Sequence, residues 1–232
     1  MKKIKVILLI IIVAVVIGCG YFGYAYWREV TDYFTTENAS ITANKVTITP
    51  MVSGNVASWN IKEGDEVDAG QLLGRQDLGA MVQSSTINTQ TLEQSASSII
   101  SKADIKTPIA GKVVQSYVVV GEAVAPGTQL AIIADTNHMY VQANVDETEI
   151  NRIQTGQPVI VKIDAYPAIT FTGYVESISE ATQSAFSLLP NLNTSGTYTK
   201  VTQLVPVKIN VAGIENYKLR LGYNVTVKIK TK

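Results

Sequence analysis

The chain has 232 residues, with 19 Lys+Arg against 19 Asp+Glu and a formal net charge of +0. That length supports one or two domains with a sizeable core, while the charge balance supplies no long-range attraction for nucleic acid and argues against a nucleic-acid reader. Charged residues make up only 16% of the chain, below the roughly 25% of ordinary soluble domains, and one N-terminal apolar run accounts for part of the deficit. A single cysteine, Cys19, cannot form an internal disulfide, and a single histidine, His138, cannot build a His-rich zinc site. His138 follows a turn-like Asp135-Thr136-Asn137 and reads as an ordinary surface or edge residue; no catalytic, cofactor or metal residue is assigned.

From Val6 to Trp27 no side chain is charged. These 22 residues, at 1.5 Å each, reach about 33 Å as a helix, enough for a bilayer core of about 30 Å. Lys2, Lys3 and Lys5 precede the run and Arg28, Glu29 and Asp32 follow it, which predicts a cytoplasmic N-terminus and an extracytoplasmic body. Tyr21, Phe22, Tyr24, Tyr26 and Trp27 crowd the outer end, as amphipathic rings do at headgroups. Val16-Ile17-Gly18-Cys19 loosely matches a lipoprotein cleavage site, so lipidation at Cys19 stays open, as does a cleaved signal.

An internal repeat follows. Residues 46–76 align without gaps to residues 103–133 at an offset of 57: Gly54 matches Gly111, Val56 Val113, Gly64 Gly121, Val67 Val124, Gly70 Gly127 and Leu73 Leu130. Short apolar runs punctuated by glycine predict β-structure with turns at Gly54, Gly64, Gly70, Gly111, Gly121 and Gly127. Neither half can bury its apolar face alone, so the two are expected to pack together.

Val52-Ser53-Gly54-Asn55-Val56, Ile61-Lys62-Glu63-Gly64-Asp65-Glu66-Val67-Asp68-Ala69-Gly70-Gln71-Leu72-Leu73 and Ile105-Lys106-Thr107-Pro108-Ile109-Ala110-Gly111-Lys112-Val113 resemble a split biotinyl/lipoyl domain. Behind one anchor helix, the split form resembles the HlyD-type membrane-fusion, or periplasmic adaptor, family, in particular its EmrA-like branch. A lipoyl or biotinyl carrier would present a lysine at the tip between the halves. Between Asp77 and Asp104 the only lysine is Lys102, which stands within the start of the second half and lacks an acidic or Met flank. The tip is occupied instead by a Ser/Thr/Gln-rich insert, 78–102, with no sustained heptad, where the family usually carries a long helical hairpin.

After Asp135 the periodicity becomes two. Met139, Val141, Ala143 and Val145, then Val159, Val161 and Ile163, then Val205, Val207, Ile209 and Val211, then Val225, Val227 and Ile229 predict half-buried strands of an antiparallel sandwich or barrel. Asp146 with Glu149 reads as a helix N-cap and its N3 partner, Glu147 to Gln154 as a short helix, Gly156 as its C-cap and Pro158 as its stop. The long stretch Glu180 to Gln203 has little periodicity and places Phe186, Leu188, Leu189 and Pro190 in a loop. It resembles the Ser-Leu-Leu-Pro loop of the EmrA-like branch. Its apolar residues are expected to plug their own barrel or to touch a neighbouring protomer or a transporter.

The resulting expectation is an all-β chain: a split lipoyl-like barrel-sandwich hybrid, then a β-barrel, behind one N-terminal transmembrane helix. The segments are the N-terminal tip and anchor, 1–28; a linker and first strand, 29–45; the lipoyl-like halves, 46–77 and 103–136, around the 78–102 insert; and the barrel, 137–232. The resemblance implies no enzyme and no cofactor, but a homo-oligomeric adaptor in the cell membrane that partners an inner-membrane transporter for export of drugs or similar compounds. A major-facilitator transporter is favoured over an ABC type. The competing class is a lipoyl/biotinyl-type carrier, or an envelope binding protein unrelated to transport.

Overall fold

A computed structural model of the chain describes residues 15–21, 23, 32–77, 102–186 and 202–231. The described chain divides into two compact units, residues 43–139 and residues 1–42 with 140–232.

The 43–139 unit holds eight strands: β3 (Lys45–Ile48), β4 (Gly54–Trp59), β5 (Glu66–Val67), β6 (Leu72–Asp77), β7 (Asp104–Lys106), β8 (Gly111–Ser116), β9 (Ala123–Val124) and β10 (Ala131–Ala134). They form two four-stranded sheets, β3-β10-β8-β5 and β7-β6-β4-β9. Shifting by 57 residues carries β4 onto β8 and β5 onto β9, and turns the order of one sheet into the order of the other. Each sheet therefore takes two strands from each half. The burial of Ile48, Val56, Ile61, Val67 and Leu73 with Ile105, Val113, Val124, Leu130 and Ile133 in one core explains why neither half can stand alone.

The backbone bonding repeats too. The Gly64 N–H donates to the Val113 carbonyl and the Gly121 N–H to the Val56 carbonyl, both at 2.8 Å. The Val56 N–H donates to the Glu122 carbonyl and the Val113 N–H to the Asp65 carbonyl, both at 2.9 Å. Trp59 and Ser116, themselves 57 positions apart, meet directly: Trp59 Nε1 donates to Ser116 Oγ at 2.9 Å.

The other unit is built from β1 (Tyr33–Thr36), β2 (Ala39–Thr42), β11 (Tyr140–Asp146), β12 (Pro158–Ile163), β13 (Thr170–Ile178), β14 (Leu204–Val211) and β15 (Val225–Lys230). The antiparallel order is β1-β15-β12-β13-β14-β11-β2. The sheet closes into a barrel because β2, paired with β11 on one side, meets the approach to β15 on the other. The Ile41 N–H donates to the Tyr223 carbonyl at 3.0 Å, and the Gly222 N–H to the Ile41 carbonyl at 2.8 Å. Alternate residues point inward, so Ile41, Val141, Val145, Val161, Val207, Ile209 and Val227 are fully buried.

Two expectations are corrected. Residues 147–154 form no α-helix; a single 3-10 turn, Ile150–Arg152, stands there, and its N-cap position is Glu149, with no side-chain cap. Asp146 is instead the last residue of β11, paired with Leu204, and Pro158 opens β12. The cause is the shortness of the connection, which must bury Ile153 and return to the sheet at Gly156, leaving room for one turn. Gly54 and Gly111 also differ from the turn reading: they open β4 and β8, opposite Val124 and Val67. At Gly111 a glycine is needed because a Cβ would run into the Ala134 carbonyl. Gly64, Gly70, Gly121 and Gly127 lie at turns with φ of 94, 82, 94 and 96°.

The anchor reading over Val6 to Trp27 falls largely outside the described residues. Within it, residues 15–21 and 23 are helical, with Val15, Val16, Ile17 and Tyr21 exposed. Among the described residues no helix is long and apolar enough to cross a membrane.

Candidate functional site

Strand direction sorts the barrel's loops onto its two ends. Thr42 and Tyr140, register partners, lie at one end, where the chain leaves for and returns from the 43–139 unit. The β12–β13 and β14–β15 connections lie at that same end, since Ile163 pairs with Val225 and Ala212 reaches Thr172. The opposite end gathers Asp32, Thr231, the β11–β12 connection and the β13–β14 connection.

This opposite end is held by specific bonds. The Glu147 N–H donates to the Gln203 carbonyl at 2.9 Å, tying the β11–β12 connection to the return of the long loop. Gly156 N–H donates to the Val175 carbonyl at 2.8 Å, and Val175 N–H to the Gln157 carbonyl at 3.0 Å. Ser184 Oγ donates to Gln203 Oε1. The Ser179 hydroxyl turns the chain into the loop by donating to the Ala181 carbonyl at 2.9 Å. Thr231 N–H donates to the Asp32 carbonyl at 2.8 Å, so the residue that follows the N-terminal segment is fastened to the C-terminal strand at this end.

The first part of the long loop is a 3-10 helix, Gln183–Phe186. Leu188, Leu189 and Pro190 lie outside the described residues, and of Phe186 only the backbone is described. The 78–102 insert is likewise outside them except Lys102, which is exposed in a helical turn before β7. Asp146, Glu147 and Glu149 do not converge on a ligand. Glu149 pairs with Arg152 at 2.7 Å on the surface, and among the described residues no cluster of three metal-ligating side chains occurs. His138, an exposed residue as read, lies 2.7 Å from Asp135 through Nδ1. Sequence reasoning missed the bond from the Glu147 N–H to the Gln203 carbonyl that joins the two connections, because it pairs residues 56 positions apart.

Two family models match the chain: the barrel-sandwich hybrid domain of RND membrane-fusion proteins over residues 44–136, and the YknX-like beta-barrel domain over residues 139–229. YhbJ of Bacillus subtilis (strain 168), whose name assigns it to an efflux system, is 35% identical over 199 residues, spanning 86% of this chain and 80% of its own. The chain belongs to the membrane-fusion family of periplasmic adaptors. The colistin resistance protein EmrA of Acinetobacter baumannii is 36% identical over 162 residues, covering 68% of this adaptor but 44% of its own length. The adaptor thus spans less than half of that relative. A MacA–MexA chimera carrying the Pseudomonas aeruginosa MexA α-hairpin shares the adaptor's fold, with a TM-score of 0.66 at 18% identity over 87% of this chain and 82% of its own. Membership in the family makes the chain an efflux adaptor.

Proposed function

We propose that the chain is anchored by its N-terminal segment, with the body outside the cytoplasm, and that it holds an inner-membrane transporter at the barrel end that carries Asp32, Thr231 and the β13–β14 connection. The observation that supports this reading is the convergence of those three features on one barrel end, away from the links to the 43–139 unit. A segment leaving Asp32 toward a bilayer carries that end toward the transporter, and Phe186, Leu188, Leu189 and Pro190 supply apolar area there for a contact. The EmrA-like loop favours a major-facilitator partner, and the exported compounds are drugs or similar molecules. Several copies assemble around the transporter. The glycines at 64, 70, 121 and 127 are turn residues of the lipoyl-like halves, 46–77 and 103–136, and residues 137–232 are the partner-binding barrel.

The test pairs two variants of the full chain. Phe186, Leu188 and Leu189 changed together to Ser should cut transporter co-purification at least tenfold and raise compound sensitivity. Replacing residues 83–98 with a short Gly/Ser turn should leave both nearly unchanged, because 25 residues as a two-helix hairpin project only about 17 Å, too little for a distant channel. Loss of function from the insert deletion beside a normal loop variant would reverse the assignment.

A further inference from the structure

The outer surface of the barrel is uneven in charge. Val225, Val227 and Ile229 of β15 are buried, so Lys228 and Lys230 point outward, as do Tyr33 and Thr35 of β1 and Ile160 and Lys162 of β12. Strand register lays these residues side by side. Lys230 pairs with Tyr33, Lys228 lies between Thr35 and Ile160, and Lys162 pairs with Thr226. Pro158, which opens β12, pairs in turn with Tyr174 of β13, which is 49% exposed.

The three adjacent strands β1, β15 and β12 hold three lysines and no Asp or Glu, in a chain whose acidic and basic totals are equal. The neighbouring acids, Asp32, Glu37 and Asp164, stand beyond the strand ends. Elsewhere on the barrel charge is matched or reversed: Lys208 of β14 donates to Glu176 of β13 at 2.8 Å, and β11 ends in Asp146. Lysine beside tyrosine and aliphatic surface suits a lipid headgroup layer, where ammonium groups meet phosphates and amphipathic rings sit at the apolar boundary. Position supports the same occupant. Tyr33 follows Asp32, and only residues 28–31 separate Asp32 from Trp27, the last residue of the uncharged run; fully extended, that link spans at most about 17 Å.

We propose that the β1–β15–β12 face of the barrel lies on the bilayer surface, with Lys228 and Lys230 on anionic lipid headgroups and Tyr33 and Tyr174 among them. The contact rests on the anchored-adaptor reading above, since the anchor is what brings this face to the membrane. Each lysine within the headgroup field adds about fivefold to the preference for an anionic surface, and salt weakens the attraction. The barrel then leans onto one side, with β14 and β11 turned away from the bilayer.

The experiment uses the full chain with Cys19→Ser, so that an introduced thiol is alone, reconstituted into vesicles of phosphatidylcholine, pure or mixed equally with phosphatidylglycerol. Some lipids carry a nitroxide on the headgroup as a quencher. One fluorophore is placed on Thr35→Cys, within the face, and another on Asp146→Cys, at the Asp32 end but on the opposite side of the closed barrel. A barrel standing upright on that end would have both labels quenched alike. In the mixed vesicles the Thr35 label should be quenched at least about threefold more than the Asp146 label. Lys228→Gln with Lys230→Gln, or omission of phosphatidylglycerol, should bring the two close to equality. Equal quenching of both labels on the unaltered face, or a difference that survives either change, would overturn the contact. A chain that fails to float with vesicles of either composition would instead defeat the anchored-adaptor reading.

Discussion

The two halves of the 43–139 unit share strand pairing, turn closure and core positions but not surface chemistry. What they share is what folding demands: apolar residues at matched interior positions, glycine where φ is positive, and a carboxylate or other acceptor that closes each turn. What they do not share is side-chain chemistry at 62–68 against 119–125: Glu63 accepts from the Ser116 N–H at 3.1 Å, where its equivalent Val120 stands exposed.

The strongest way to break this comparison is at the core. Leu73 and Leu130 are equivalent and both fully buried, so Leu73→Ala and Leu130→Ala should each lower stability by about 2–5 kcal/mol. Urea unfolding should find the two losses within about 1 kcal/mol of each other; a large gap would mean the halves do not bear the core equally.

Glycine sharpens it next. Gly64→Ala and Gly121→Ala, both at φ 94° in open space, should each cost about 1 kcal/mol from backbone strain alone. Gly111→Ala should cost more than either, because the Ala134 carbonyl must move. A thermal-shift series on the three variants reads the order directly.

The smallest expected effect lies where the halves touch. Ser116→Ala removes the acceptor of Trp59 Nε1 and should cost about 0.5–1.5 kcal/mol, with a change in Trp59 fluorescence. Unchanged stability and emission would show that water replaces the hydroxyl without loss.

Much of this was legible beforehand for local reasons. The 57-residue offset is visible because turn glycines and period-two alternation are written in adjacent residues. The barrel strands were visible for the same reason, with Val141, Ala143 and Val145 inward as their spacing requires. The exchange of strands between sheets was not legible, since β5 chooses β8 and β9 chooses β4 across the duplication, and no local signal states that choice. The 147–154 stretch misled because Asp146 and Glu149 have capping spacing, whereas the sheet extended to Asp146 and left too few residues for a helix. At the candidate site, the apolar loop stood out in the sequence; its convergence with Asp32 and Thr231 on one barrel end required the strand register.

The most direct measurement of the central claim is purification of the tagged full chain from detergent-solubilised membranes of its own host, with mass spectrometry of what comes with it. An integral-membrane transporter, enriched with the wild-type chain and depleted by the Phe186, Leu188, Leu189 triple variant, is the expected result. A wild-type chain that brings down no transporter, or one retained equally by the triple variant, would contradict the account.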